Sequence, residues 1–499
     1  MTIHPFYHRE QQLADLDQLL LHRAGPAFVI VYGRRRVGKT WLLRYWAEQS
    51  GVPTFYWVSP RGETPDNVRS DLVRELWRWE FPDRDVETAP RYDNWKDVFV
   101  AMRRLAGDRR MVFQLDEFPW AVNSDPSLPS RLQATWETVF RDSQVSLVLS
   151  GSHIAVMESL LQSDAPLFGR LTGKLYVPPF EFVEITPFVR HYSPEKRLAV
   201  FATVGGVPDY LRSWNDRADL MENIRAIFLS DLSPFRNEAD VLISDVLRRD
   251  SPDYQSVLSA VARGSHDLDS IVKATQIDSD RAAGVLTTLA DLRLVEKRIR
   301  ASVPVSRHDK ARYARYFLAD PFLRFYYYMV EPNRTFLAQQ NYDVVLRHFA
   351  EQMRPFVAAT FEDLCRTWTL AMARAGRLPF APEYIGSDWR GREHQIDVMA
   401  VNWREAQVLI GEAKWGEGRV DHQVYAKLKE RAESALAYLR AERKGDRSDA
   451  QPWTVHRILF ARRSFTPAVV AAAKADNAQL LTFQQMVADL ERLPRRPIR

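Results

Sequence analysis

Apolar positions along the chain follow three successive rhythms. Short, mostly apolar runs come first: Ala27–Tyr32 (AFVIVY), Met111–Leu115 (MVFQL) and Val145–Ser150 (VSLVLS). Such runs read as strands buried on both faces, the mark of a parallel sheet. Thr54–Val58 (TFYWV) adds a strand between the first two, and helical spacing marks Ser130–Asp142 and the segment opening at Trp41. Between Phe180 and Arg249 helical periodicity takes over, broken at Gly205-Gly206-Val207-Pro208. Three short helices follow, Tyr254–Arg263, Leu268–Thr275 and Asp280–Leu292, the last capped by Ser279 or Asp278, and then the alternating stretch LVEKRIRASVPV. From about Asp343 the pattern becomes a long helix, Pro355–Ala375, and strands at Phe380–Gly386, His394–Asn402 and Gln407–Lys414. The helix Asp421–Arg443 and a strand at His456–Ala461 complete it. The sequence thus predicts an α/β, multi-domain chain with a parallel-sheet core (1–178), a helical lid (179–250), a three-helix unit with hairpin and linker (251–339) and a C-terminal α/β unit (340–499).

Composition fits that division. A chain of 499 residues with 46% hydrophobic and 27% charged residues is too long for one ordinary domain and balanced for several packed cores. Its apolar runs fall far short of the ~18 residues that a membrane helix needs. The start, MTIHPFYHRE, lacks the apolar stretch of a signal peptide. The single cysteine, Cys365, excludes an intramolecular disulfide and reads as a buried small hydrophobe. The expectation is a cytoplasmic protein without a membrane partner. Net charge is only +5, but it is uneven. Arg293, Lys297, Arg298, Arg300, Arg307, Lys310, Arg312 and Arg315 stand against Glu296 and Asp309 alone, a run of the kind that contacts nucleic acid.

The first strand ends in GRRRVGKT, Gly33 to Thr40. Glycines there let backbone N–H groups wrap phosphates at a helix N-terminus, Lys39 reaches the terminal phosphates, and the Thr40 hydroxyl ligates Mg²⁺. Gly33, Val37, Gly38, Lys39, Thr40 and Trp41 are therefore candidate ATP contacts, and Arg34 to Arg36 are expected to face solvent. MVFQL ends in Asp116-Glu117, where Asp116 would hold the magnesium through water and Glu117 would polarise the attacking water. The next strand delivers Ser150 and Ser152 to the same sheet edge, within reach of a γ-phosphate. The strand Thr54–Val58 and Glu117 together point to the additional-strand, catalytic-glutamate (ASCE) P-loop ATPases rather than kinases or small GTPases.

A second chemistry lies near the C-terminus. Asp397 on one strand and Glu412-Ala413-Lys414 on the next resemble the PD-(D/E)XK nuclease core, with Ile396 in place of its proline. Side chains alternate along a strand, so Glu412 and Lys414 share a face. Asp397 and Glu412 would hold Mg²⁺, or Mn²⁺, against a scissile phosphate, with Lys414 acting on the attacking water. The resemblance makes Glu362 an additional acidic ligand, and Gln423 lies within reach of a substrate.

Several stretches extend the likeness. FYHREQQLADL, YGRRRVGKT, LDEFPW, LSGSHIAVME, PLFGRLTGKL and GGVPDYL resemble the archaeal-type ATPases of the AAA+/STAND group. YFLADPFLRFYYYMVEPN, FEDLC and IDVMAV…VLIGEAKW are similar to the DUF234 module that follows this ATPase. The resemblance implies that Phe6 and Arg9 line the adenine end of the nucleotide. It also implies that Arg170 approaches the γ-phosphate side of a site, in its own subunit or in a neighbour's within a homo-oligomer. The three helices and LVEKRIRASVPV resemble a winged helix-turn-helix, which would place the third helix in a DNA major groove and the wing's arginines on phosphates. The expectation is an ATP-dependent DNA-handling protein with a nuclease-like domain. The alternatives are a nucleotide-gated signalling or assembly switch, and a translocase without cleavage.

Overall fold

Five strands, β1 (Ala27–Tyr32), β2 (Thr54–Val58), β3 (Met111–Asp116), β4 (Val145–Gly151) and β5 (Gly173–Tyr176), form the first sheet. The computed structural model describes residues 6–247, 252–310, 314–390, 394–443 and 452–493. The sheet order is β2-β3-β4-β1-β5, with every pairing parallel. All of β1 is buried because packing covers both of its faces. Phe28, Ile30 and Tyr32 enter one core with Phe113 and Leu147, while Val29 and Val31 enter another with Leu42 and Trp46 of the Lys39–Ser50 helix. The strand that separates β1 from β3 is β4, whereas β2, inserted between them in the sequence, lies at the sheet edge. Parallel neighbours need crossovers, so chain order and spatial order part company.

The chain leaves this sheet for the lid at Phe180. Its N–H donates to the Gly206 carbonyl at 2.7 Å. A Cβ on Gly206 would sit 1.8 Å from the Phe180 carbonyl oxygen, so only glycine permits this crossing. Gly205, with φ of 65°, ends the Pro194–Val204 helix there. Further lid helices span Pro208–Arg212, Leu220–Ile224 and Glu238–Leu247.

Helices Pro252–Ala262, Leu268–Thr275 and Ser279–Asp291 follow, the last capped by the Asp278 carboxylate on the Asp280 and Arg281 N–H groups. Strands β6 (Val295–Ile299) and β7 (Ala314–Leu318) then pair antiparallel. The C-terminal sheet comprises β8 (Tyr384–Arg390), β9 (His394–Asn402), β10 (Gln407–Lys414), β11 (Thr454–Ala461) and β12 (Gln479–Thr482), adjacent in chain order. β8, β9 and β10 are antiparallel, and β10, β11 and β12 are parallel.

Two boundaries differ from expectation. The long helix starts at Tyr342 rather than Pro355 and runs for 33 residues. Proline normally opens a helix, but here Val345, Phe349 and Met353 pack the preceding turns into the core. β8 starts at Tyr384 because Pro382 lies in the stretch read as its beginning, where it has no N–H for a ladder. One apolar core joins the lid to the C-terminal sheet. Phe228 stacks on Phe322 at 4.8 Å and meets Phe325 at 4.6 Å, which meets Phe349 and Phe356 of the long helix. Among the described residues no helix is long and apolar enough to cross a membrane.

The Gly206 crossing makes a first prediction. Gly206→Ala forces the Phe180 backbone away and costs at least about 2 kcal/mol, read as a lowered melting temperature. Gly284→Ala, where nothing lies within 4 Å of the added Cβ, leaves stability unchanged or raised.

Candidate functional sites: a phosphate loop and a carboxylate cluster

The phosphate loop is shaped by its glycines. A Cβ on Gly33 would lie 2.4 Å from the Val177 carbonyl oxygen, and Gly38 caps the following helix in the left-handed region at φ 92°. Lys39 turns its ammonium back onto the loop, donating to the Gly33 and Arg34 carbonyls at 2.9 and 3.2 Å. Burial pushes its pKa down, opposed by the charges of Glu117 and Asp116. Val37 is buried, and Trp41 is half exposed beneath the Arg212 guanidinium.

Asp116 sits at the end of β3 and is saturated with donors. Oδ2 accepts from the Thr40 hydroxyl at 2.7 Å and the Tyr56 phenol at 2.8 Å; Oδ1 accepts from the Ser150 hydroxyl at 2.6 Å and the Glu117 N–H at 3.0 Å. Thr40 and Asp116 thus offer adjacent hard oxygen donors, a set that fits Mg²⁺. Glu117 has a left-handed backbone, φ 48°, and its carboxylate is held by the Ser152 hydroxyl at 2.9 and 3.0 Å. Tyr56 was missed from the sequence. It lies in the middle of β2, a strand that carries no motif, and only the β2–β3 register, which pairs it with Gln114, brings it within reach of Asp116. Burial, then the Asp116 charge, raises its phenol pKa.

The loop arginines correct an expectation. Arg34 and Arg36 do not face solvent. Arg34 ion-pairs with Asp320 and donates to the Tyr210 hydroxyl at 3.1 Å. Arg36 grips the Glu238 carboxylate with two hydrogen bonds, 2.7 and 3.0 Å, and also pairs with Asp209. Tyr210 closes the network by donating to Glu238 at 2.8 Å. Glu238 and Asp320 are buried. These partners come from the lid and from the residue after β7, far along the chain, so local pattern gave no sign of them.

The C-terminal cluster gathers on β9, β10 and the long helix. Asp397 and Glu412 are 6% and 3% exposed. Asp397 Oδ2 accepts from the Ala413 N–H at 2.9 Å, and its carbonyl accepts from Arg366 at 2.7 Å. Lys414 Nζ reaches Glu412 Oε1 at 2.5 Å, and Arg431, from the His422–Arg443 helix, pairs with Oε2. Burial and then the Asp397 charge push Glu362 up from 4.5 to about 8. Burial and then the Glu412 charge push Asp397 up from 3.8 to about 6. Asp397 and Glu412 supply hard oxygen donors that fit Mg²⁺ or Mn²⁺. Among the described residues no group of three or more His, Cys, Asp and Glu side chains has the arrangement of a metal site, so Glu362 does not complete a three-carboxylate set. Gln423 is exposed at the start of its helix. Arg431 was not foreseen: it lies two helical turns further on, where the sequence shows only an ordinary charged face.

Two family models match the chain. Residues 6–213 match an ATPase domain found predominantly in archaea. Residues 326–430 match DUF234, archaeal and bacterial proteins of unknown function. The chain joins an archaeal-type ATPase domain to a DUF234 domain. It is 24% identical over 416 residues to an uncharacterised protein of Methanocaldococcus jannaschii, covering 82% of this chain and 87% of that protein. Solved structures similar to it include the Walker-type ATPase of Pyrococcus abyssi, at 18% identity, 64% and 96% coverage and a TM-score of 0.48. The Aeropyrum pernix ORC2 protein in ADPNP–ADP complexes matches at 14% identity, 70% and 97% coverage and a TM-score of 0.44.

Around the ATPase domain, Phe6 stacks on Tyr45 of the loop helix at 4.2 Å. Arg9 is buried, bonds the Val37 carbonyl at 3.3 Å and covers the Phe180 ring at 4.3 Å. Arg170 bonds Glu137 at 3.1 Å and the Phe168 carbonyl. The described arginines of the basic run between the two domains have partners within the chain, although Arg293 and Arg307 stay exposed. Arg293 pairs with Glu158 at 2.7 Å, Arg298 with Glu296 and Asp363 at 2.7 and 2.8 Å, and Arg307 with Glu442 at 2.7 Å. Arg300 and Arg315 lie over the rings of Tyr438 and Trp389. Lys297 is exposed, and Arg312 lies outside the described residues. The third helix carries acidic as well as basic groups on its exposed surface. Its Arg281 pairs with Asp253, and Asp278, Asp280 and Asp291 are exposed on or beside it.

Two predictions follow from this geometry. Arg36→Ala leaves Glu238 buried without its cation, so the lid loosens by about 3 kcal/mol; faster amide exchange in Pro208–Leu247 with an unchanged C-terminal sheet is the expected readout. Glu362 has a folded pKa above its unfolded value, so the unfolded chain releases this proton first as pH rises. The associated stability is fully present below 4.5 and is lost as pH climbs through about 8. The melting temperature of Glu362→Gln relative to wild type therefore rises between about pH 4 and about pH 9, and a pH-independent difference would remove Glu362 as the source.

Proposed function

We propose that the ATPase domain controls metal-dependent cleavage of DNA by the C-terminal domain. In the ATPase site Lys39 takes the terminal phosphates, Thr40 and Asp116 hold Mg²⁺, Glu117 orients the attacking water, and Ser152 senses the γ-phosphate. In the C-terminal site Asp397 and Glu412 hold the metal and Lys414 orients water at the scissile phosphate. A bound Mg²⁺ or Mn²⁺ supplies charge stabilisation and a more acidic water. The observation that carries this reading is the meeting of Asp397, Glu412 and Lys414 at one end of a buried sheet. Buried carboxylates that repel one another are costly unless a cation is their purpose. DNA as the substrate rests on this site alone, since the arginines between the domains are mostly occupied within the protein.

One observation favours the other reading, a nucleotide-gated assembly switch with a non-cleaving C-terminal domain. Both oxygens of Glu412 are engaged by cations of the chain itself, Lys414 and Arg431. The two readings separate in one experiment on the full chain. ATP hydrolysis and plasmid nicking are measured with Mg²⁺ and Mn²⁺ for wild type, Lys39→Ala, Glu117→Gln, Asp397→Ala and Lys414→Ala. The nuclease reading expects Lys39→Ala to weaken nucleotide binding and Glu117→Gln to bind but hydrolyse slowly. Asp397→Ala and Lys414→Ala should lose nicking and keep ATP turnover, with Lys414→Ala still binding metal. Equal nicking by wild type and Asp397→Ala, or none by wild type with either metal and with or without ATP, decides for the switch.

A further inference from the structure

The edge strand β2 holds Asp116 at two points. At its end the Ser59 N–H donates to the Asp116 carbonyl at 2.9 Å, which fixes the backbone. In its middle the Tyr56 phenol donates to Asp116 Oδ2 at 2.8 Å, which fixes the side chain. Tyr56 pairs with Gln114 of β3, and Asp116 lies two residues beyond Gln114. Side chains alternate along a strand, so Tyr56, Gln114 and Asp116 share one face of the sheet. The Lys39–Ser50 helix covers that face. Gln114 Nε2 donates to the Leu43 carbonyl at 3.3 Å, and the Arg44 guanidinium lies over the Tyr56 ring at 4.5 Å. The ring is therefore seated between the sheet and the helix that follows the phosphate loop.

Burial of Asp116 does not by itself call for this bond. The carboxylate already accepts from the Thr40 and Ser150 hydroxyls and from the Glu117 N–H. The two donors on Oδ2 also differ in what else they do. Thr40 is a magnesium ligand in the ATPase reading, so its hydroxyl belongs to the cation when the site is filled. Tyr56 has only the carboxylate. Each carboxylate oxygen has about two lone-pair directions. With the phenol on one of them, the direction that Thr40 vacates is the one left for the magnesium's water. The terminal torsion of an aspartate is broad, and without the phenol only Oδ1 would be tied.

We propose that Tyr56 is a positioning residue for the magnesium that accompanies ATP, keeping Asp116 aimed at the Thr40 side once the Thr40 hydroxyl has turned to the cation. The proposal rests on the ATPase reading given above. The test measures binding of the slowly hydrolysed analogue ADPNP to the full chain by calorimetry, in EDTA and across a Mg²⁺ titration. Tyr56→Phe keeps the ring beneath Arg44 and deletes only the hydroxyl, at a half-buried position where the fold tolerates the change. It should bind ADPNP as wild type does in EDTA, yet need about tenfold more Mg²⁺ to reach half of the metal-dependent tightening. Asp116→Asn, measured alongside, tests the reading itself. A blunted Mg²⁺ response in Asp116→Asn with a wild-type response in Tyr56→Phe overturns the proposal and leaves the ATPase reading standing. A wild-type response in Asp116→Asn overturns both. Equal weakening by Tyr56→Phe with and without Mg²⁺ would assign the phenol to packing and overturn the proposal as well.

Discussion

Arg36 and Arg34 impose the constraint on which the nucleotide half of the molecule depends. A phosphate loop with three consecutive arginines followed by Lys39 concentrates positive charge in a few residues, and like charges so close raise the energy of any compact arrangement. The lid answers with Asp209, the Tyr210 hydroxyl and Glu238, and the segment after β7 answers with Asp320. Because Glu238 and Asp320 are buried, removing one cation strands its partner, a loss of about 3–5 kcal/mol. The loop conformation and the lid position are therefore set together. Asp320 also caps the Pro321–Phe325 helix, whose Phe322 and Phe325 are central to the core shared with the long helix. A continuous line of ion pairs and packed rings leads from the phosphate loop to the helix that carries Glu362.

The C-terminal cluster is governed by the same conflict with the signs exchanged. Carboxylates crowd a buried sheet end, and Lys414, Arg431 and Arg366 are drawn to it. Asp363, one residue from Glu362, faces the other way and binds Arg366 and Arg298. Adjacent acids on one helix thus take different partners, and Arg366 links the second of them to the Asp397 carbonyl of β9. Of the ribbon's cations, Arg298 is tied to the long helix through this carboxylate.

What could be read from the sequence was local. GRRRVGKT, the strand ending in Asp116-Glu117 and the Glu412-x-Lys414 alternation each lie within a single element, and their spacing alone fixes which side chains share a face. β1, β3, β4, β9 and β10 were legible for the same reason: mostly apolar character in runs of strand length. Tyr56, Arg431 and the Arg36–Glu238 grip were not, since each depends on register or on contacts between remote segments. The partners of the run from Arg293 to Arg315 were not legible either, because composition counts charges without them. Glu158, Asp363 and Glu442, which pair with Arg293, Arg298 and Arg307, lie more than a hundred residues away from the arginines they meet or on a different domain. Pro355 misled in the opposite direction, since a residue that opens helices by preference sits inside one when the turns before it are packed.

Both sites present carboxylates that the protein already satisfies. Asp116 accepts from Thr40, Tyr56, Ser150 and the Glu117 N–H, and Glu412 accepts from Lys414 and Arg431. A ligand that approaches must therefore replace a protein donor rather than fill an empty position. Exchanging one hydrogen bond for another of the same kind gains little, about 1 kcal/mol or less. A divalent cation would gain more, because its charge acts on several oxygens at once. In the proposed ATPase site the Thr40 hydroxyl would turn from Asp116 to the cation, and in the proposed C-terminal site the Lys414 ammonium would be released toward a phosphate. Without a cation the protein's own donors hold the carboxylates in place.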